Sequence, residues 1–316
     1  MKIVVLDGYT LNPGDLSWEH LERLGNCTVY ERTSPDQVVE RCHDAEIVLT
    51  NKVVLDENVI NQLPKLEYIG VMATGVNVID VAYKKKKGIT VTNAAGYSSI
   101  GVAQHTLALI LASINKVESH HNWARENWSK HHDFSYTLNS ISELNGKTLG
   151  LIGFGQIAQE VAKIAFAFGM KILVYRRQNN VEMPEGITQV ELDELLSRAD
   201  VVSLHCPLTP ETNQMVNAKF LSKMKPSAGL VNTARGGLVN EHALAKTLNN
   251  NEIAWAALDV LAQEPPSDEC PLLSAENCLI TPHIAWASKE SRMRLMDIIT
   301  ENIRSYFLGE PQNVVS

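Results

Sequence analysis

The sequence predicts an α/β protein built from two doubly wound parallel-sheet domains. Three observations predict it. Short β-branched runs alternate with polar helical stretches through the first hundred or so residues, and a second series of the same kind begins at Gly146. Between the two series lies a segment that is apolar nearly all round, the pattern of a helix buried between two bodies. Dense Val/Ile/Leu runs mark strands covered on both faces, which is what a parallel sheet flanked by helices requires.

Taken in order, KIVVLDG, CTVYE, EIVLTN, EYIGVMATG and GITVTNAAG are the strand candidates of the first series, with helical stretches at 17–24, 35–42 and 56–63 between them. The lysines at 84–87 form the one dense basic run, and before Gly88 they read as a solvated helix end rather than a phosphate patch. Residues 100–114 contain VAQHTLALILASI, the buried helix. Residues 118–139 are rich in aromatics and His and carry no clean period. Trp123, Trp128, Phe134 and Tyr136 there read as an arm packed on a second subunit, with a loop folded back on its own domain as the alternative. His120, His121, His131 and His132 lie in the same stretch; adjacent histidines diverge and no carboxylate or cysteine spacing completes a metal site, so no metal is expected. The second series, KTLGLIG, MKILVYRR, ADVVSLHCPLT, AGLVNTARGG, AWAALDVLAQ and NCLITPH, supplies further strands, with helices at 156–168 and 192–197. A last helix at 288–307 is expected to cross back to the first domain.

Composition narrows the function classes. The chain has 316 residues, 45% hydrophobic and 20% charged, enough for two domains with ample core. A formal charge of −8 argues against non-specific binding to nucleic acid or an acidic membrane. Five cysteines, odd in number and without a C-x-x-C pair, fit a reduced chain. The apolar start MKIVVL is too short for a signal-peptide core, and no stretch approaches the roughly 18 apolar residues of a membrane helix. The expectation is a cytoplasmic protein.

The motifs carry chemistry. Gly153-Phe-Gly155-Gln-Ile-Ala158 follows a strand and opens a helix: Gly153 permits a tight turn, Gly155 lets main chain approach a pyrophosphate, and Ala158 allows close helix–strand contact. Gln156 and Ile157 begin the helix whose N–H groups would face the phosphates. The next strand ends at Arg176-Arg177, where a dinucleotide site often has an acid for the ribose hydroxyl. With no acid at 175–177 the pair favours NADP over NAD, unless both arginines merely face solvent. Cys206, Pro207 and Thr212 belong to a proline-stiffened loop at a strand's carboxyl end, which lines the cofactor crevice in such sheets; His205 before it reads as structural. Asp259, inside an apolar run, needs a partner, either the nicotinamide end of the cofactor or a nearby loop.

Arg235, Glu264 and His283 end three successive apolar runs. A guanidinium grips a carboxylate bidentately, an imidazole moves a proton, and a carboxylate beside an imidazole favours the charged ring. Together they fit reduction of a keto acid beside a nicotinamide.

These residues, with ATGVNVID at 73–80, NAAGYSS at 93–99 and TPHIAWAS at 281–288, resemble the D-isomer-specific 2-hydroxyacid dehydrogenase family, within it the glycerate dehydrogenase and hydroxypyruvate reductase branch. The resemblance implies two Rossmann-like domains with the active site in the cleft between them: 1–99 plus 286–316 binding substrate, and 100–285 binding the dinucleotide, NAD or NADP. It implies Arg235 as the substrate-binding arginine, His283 as acid/base and Glu264 as its paired carboxylate. Thr74, Gly75 and Val76 match a loop whose N–H groups hold the substrate carboxylate, and Tyr97 and Ser98 match a loop facing the cleft. Thr233, Ala234 and Ala285, beside the catalytic residues, fall with the cofactor site, and Trp286 either borders the substrate or only packs. The partners implied are a small 2-keto or 2-hydroxy acid and a second copy of the chain, through the 118–139 arm and the 100–114 helix. Glyoxylate reductase and D-lactate-type enzymes are alternatives in the same family, and a dinucleotide-sensing corepressor-like protein is one outside catalysis.

Overall fold

The structure, a computed structural model, describes residues 1–80, 87–177 and 183–315. The chain divides into two compact units, Met1–Ser98 with Ala287–Ser316, and Ser99–Trp286. Of the lysine run, residues 84–86 lie outside the described residues; Lys87 is exposed and precedes Gly88, whose φ of 70° suits glycine.

In the first unit, β1 (Lys2–Val5), β2 (Asn26–Val29), β3 (Ile47–Thr50), β4 (Tyr68–Val71) and β5 (Thr90–Thr92) form one parallel sheet in the order β2-β1-β3-β4-β5. Strand order reverses between β1 and β3, as in a doubly wound sheet. The strands β3 and β4 are buried along their whole length, which accounts for their unbroken apolar runs. Asp7, just past β1 and 6% exposed, accepts the N–H groups of Asn51, Lys52 and Val53 and so pins the loop that follows β3.

The C-terminal helix Lys289–Phe307 belongs to this unit. Ser288 caps it by accepting the N–H of Ser291. Arg292 is 8% exposed and forks onto Asp15 at 2.6 and 2.8 Å while also donating to the Leu11 carbonyl. Farther along, Asn302 donates to the Asn93 carbonyl and the Tyr306 ring lies 4.9 Å from that of Tyr68.

The second unit carries β6 (Thr148–Ile152), β7 (Lys171–Tyr175), β8 (Ile187–Gln189), β9 (Val201–Leu204), β10 (Gly229–Asn232), β11 (Trp255–Leu258) and β12 (Cys278–Ile280). They form a parallel sheet in the order β12-β11-β10-β9-β6-β7-β8. Read from its other edge, the first six strands follow the order 3-2-1-4-5-6 of a dinucleotide fold, with the switch point between β6 and β9. Sequence patterning missed β8: three residues on a sheet edge, two half-buried and Thr188 exposed, are too few to show alternation or an apolar run.

The helix Ser99–Asn115 is buried in the core of its own unit, where Ala103, Leu107, Ile110 and Ile114 pack with Leu149, Leu151, Val161 and Ala165. Among the described residues no single helix is long and apolar enough to cross a membrane. The stretch read as aperiodic contains a helix, Val117–Asn127, and a 3-10 turn, Trp128–Lys130. No residue of that helix is buried, so it has no apolar face for a period to show. The chain after it folds back: Trp123 stacks on Tyr136 at 4.3 Å, and His120 accepts the N–H of Leu138.

Candidate active site

Strands β10, β11 and β12 lie side by side, and each delivers one reactive side chain beyond its carboxyl end. His283 Nδ1 is 2.6 Å from Glu264 Oε2, and Glu264 Oε1 accepts the N–H of Leu261 at 3.0 Å. The carboxylate is thus oriented by its own loop and the ring by the carboxylate. With Nδ1 engaged, Nε2 is the nitrogen that can exchange a proton with a reactant. Both side chains are about one-third exposed, at 29% and 34%, which leaves the pair accessible.

His283 has φ 53°, a left-handed conformation that non-glycine residues rarely adopt. Asp259, 1% exposed, holds it there. Its carbonyl accepts the N–H of His283 at 2.8 Å, and its carboxylate accepts the Thr281 hydroxyl at 2.6 Å and the N–H groups of Ile284 and Ala285 at 2.9 and 2.8 Å. Burial works against the charged carboxylate, but these bonds and His105 outweigh it and hold Asp259 below the usual carboxylate range. Of the two partners open at the sequence level, the structure shows Asp259 bonded to the loop.

Arg235 is set by its neighbours. Buried Asn232 accepts the N–H of Ala234 and donates to the Arg235 carbonyl, at 3.0 and 2.9 Å. A Cβ at Gly236 would stand 1.9 Å from the Leu261 carbonyl carbon and oxygen, so the Arg235 and Glu264 loops meet main chain to main chain, and only glycine fits. The Arg235 side chain is exposed; its Nη1 donates to the Ala234 carbonyl at 2.7 Å, and among the described residues no carboxylate pairs with it. A permanent cation so placed can take an anion.

The glycine loop sits at the switch point. Gly153 has φ 92°, and a Cβ there would meet the His205 carbonyl oxygen at 2.7 Å. Gly155 caps the helix Gln156–Ala167, and a Cβ at Gly155 would meet nothing within 4 Å. Open space therefore stands over the first turn, where Gln156 and Ile157 begin a helix, while Ala158 is fully buried. These residues fit a dinucleotide pyrophosphate, which would lie on that turn.

The loop after β9 is braced from within. Thr212 donates to the Pro207 carbonyl and accepts the Thr209 N–H, and Cys206 Sγ lies 3.9 Å from Met215 Sδ. Burial pushes the His205 ring down to about 4, so it is neutral near pH 7, with Ser203 Oγ 2.9 Å from Nε2. Arg177 lies 3.4 Å from Glu211, both exposed. No acid stands at 175–177 along the strand, but folding brings Glu211 to Arg177 from the loop after β9.

Thr233 and Ala285 are nearly buried and Ala234 half-buried beside Arg235 and His283. Trp286, half-buried, ends the second unit. In the first unit, Thr74 is exposed and Gly75 and Val76 half-buried, and among the described residues nothing accepts the backbone N–H groups of the three. Tyr97 and Ser98 are buried, the Tyr97 carbonyl accepting Arg294. Close main-chain approach at Gly236 was legible in the sequence, from the Gly-Gly pair after Arg235; sequence reasoning missed Asn232, Thr281, His105 and Thr106. The last two carried a signal: adjacent polar residues in an otherwise apolar helix.

A glycine loop on a sheet of this order, with an arginine, a carboxylate and an imidazole on the neighbouring strand ends, defines a nicotinamide-dependent dehydrogenase. Residues 107–285 match the model of the D-isomer specific 2-hydroxyacid dehydrogenase, NAD binding domain, and the chain belongs to that family. A hydroxypyruvate reductase of Blautia hydrogenotrophica is 47% identical over 321 residues, covering 100% of both chains. A glycerate dehydrogenase of Methylorubrum extorquens is 43% identical over 290 residues, 90% of each. Among solved structures, an acyclic imino acid reductase in complex with NADPH and D-Arg superposes with a TM-score of 0.86 at 34% identity, over 100% of both chains. The protein is an NAD(P)-dependent oxidoreductase acting on 2-hydroxy acids.

Proposed function

We propose that this protein reduces hydroxypyruvate, or a 2-keto acid of similar size, to the D-2-hydroxy acid. The observation that carries the reading is the His283–Glu264 pair at 2.6 Å, past strand ends beside that of the exposed cation Arg235. Likeness to a hydroxypyruvate reductase and a glycerate dehydrogenase supports the choice of substrate.

A bound reduced nicotinamide supplies hydride to the substrate's C2. Arg235 grips the carboxylate and polarises the carbonyl. Protonated His283 gives its Nε2 proton to the carbonyl oxygen, and Glu264 keeps the ring oriented and compensates its charge. Trp286 limits substrate size.

The cofactor we infer is NADPH. Arg176 and Arg177 offer cations for a 2′-phosphate, and the exposed Arg177–Glu211 pair contributes little stability and can yield to it. A second copy of the chain is the partner we infer for the 118–139 arm and the exposed edge of the 100–114 helix, because Phe134, Trp128, Tyr136 and Ile100 are 91, 52, 46 and 64% exposed. Five free cysteines support a reducing, cytoplasmic setting.

Nicotinamide absorbance followed with NADH and NADPH against hydroxypyruvate, glyoxylate and pyruvate tests substrate and cofactor together. Hydroxypyruvate with NADPH should give the highest kcat/KM. A His283→Gln variant within a few-fold of wild-type kcat would sink the mechanism, and a monomer by light scattering would sink the second copy.

A further inference from the structure

We infer that His105 is a positioning residue for the His283 loop and that Thr106, next to it, does the same for the Arg235 loop. The inference rests on the catalytic reading of Arg235 and His283 and adds what holds them at a set spacing.

Both residues lie on Ser99–Asn115, a helix anchored in the core of its unit by Ala103, Leu107 and Ile110. His105 Nε2 is 3.1 Å from Thr281 Oγ1 and 3.5 Å from Asp259 Oδ1. A hydroxyl has one proton, and that of Thr281 goes to Asp259 Oδ1 at 2.6 Å. His105 must therefore carry its proton on Nε2 and donate it into the Thr281–Asp259 pair. That pair fixes the main chain of the loop: Asp259 receives the N–H groups of Ile284 and Ala285 and returns its carbonyl to the N–H of His283. The strained backbone at His283 thus has a donor chain behind it that ends on the helix.

Thr106, fully buried, donates its hydroxyl proton to the Val102 carbonyl at 2.8 Å. Its 3.0 Å contact with Thr233 Oγ1 is then a bond that Thr233 donates. Thr233 stands between Asn232 and Ala234, the residues that shape the Arg235 loop. Two consecutive side chains of one rigid helix thereby tie the cation loop and the imidazole loop to a common frame. Apolar side chains would fill the same space without fixing either loop.

The test compares full-length wild type with His105→Leu, His105→Gln and Thr106→Val in steady-state kinetics, thermal melting and amide hydrogen exchange without substrate. His105→Leu should lower kcat about tenfold to a hundredfold with KM changed by less than about threefold, since misplaced catalytic groups cost rate rather than binding. Exchange at residues 281–285 should rise about tenfold in the same variant. His105→Gln, which keeps a donor at the Nε2 position, should restore both. Thr106→Val should speed exchange at 233–235 instead. The proposal is overturned if His105→Leu keeps kcat within twofold of wild type, if exchange at 281–285 is unchanged, or if His105→Gln fails like the leucine variant. Wild-type protein inactive on every 2-keto acid would overturn the catalytic reading, and the exchange comparison would then still decide the brace.

Discussion

His283 donates its backbone N–H to the carbonyl of Asp259 at 2.8 Å, and Asp259 grips the two residues after it with its carboxylate. A buried acid thereby sets the φ of 53° at His283, a conformation that costs a non-glycine residue roughly 1–2 kcal/mol. In Asp259→Asn one acceptor oxygen becomes a donor facing other donors. The variant should lose about 2–3 kcal/mol in urea unfolding and most of its kcat, while a loss under about 0.5 kcal/mol would mean the loop is held otherwise.

Glu264→Gln keeps an acceptor for the ring but removes the charge opposite it. We expect kcat to fall about a hundredfold with little change in KM, measured by steady-state kinetics. An unchanged kcat would remove the carboxylate from the mechanism.

Gly236→Ala places a methyl group 1.9 Å from the Leu261 main chain. The Arg235 and Glu264 loops must then separate. A stability loss of about 2–3 kcal/mol and a kcat loss larger than that of a distant core variant are expected. Wild-type kinetics in the folded variant would show that the spacing of the loops does not matter.

His205 predicts an acid effect on stability. Its folded ring is pushed down to about 4 by burial, against about 6.5 in an unfolded chain. Between those values the unfolded chain binds a proton that the folded one does not, so stability falls as pH drops from about 6.5 toward 4 and is regained on the way back. In His205→Gln the difference in Tm between pH 5 and pH 7 should shrink. An identical difference in both proteins would contradict a neutral buried ring.

Arg292→Ala strands Asp15 and the Leu11 carbonyl and empties a site only 8% exposed. Asp15 is exposed enough to be rehydrated, so the expected cost is about 1–2 kcal/mol from the lost hydrogen bonds and alkyl packing, visible as a lower denaturation midpoint of the first unit. A Leu substitution that matched wild type would show that the alkyl packing, not the ion pair, holds the helix.

The strands were legible in the sequence where burial is two-sided. The runs at β3, β4, β9, β10 and β11 are apolar because neighbours cover both faces, and all were anticipated. The helix Val117–Asn127 and the edge strand β8 were not, because the helix buries no residue and the three-residue strand only partly covers Ile187, too little for a period to record. The arginine pair was read without Glu211 because Arg177 and Glu211 are far apart in sequence and meet only where the loops past β7 and β9 converge across β6.

The sequence by itself determined the chemistry of this protein: a glycine loop after a strand, and one cation, one carboxylate and one imidazole at successive strand ends. Those features are local, since they depend on which residue follows which. Tertiary structure alone decided how Arg235, Glu264 and His283 are held. Asp259, past β11, reaches His283, past the neighbouring β12, Gly236 touches Leu261, and His105 and Thr106 reach the strand ends from a helix far upstream in the chain. Hydrogen bonds and close main-chain contacts act through space over about 3 Å, and no spacing rule along a chain encodes them.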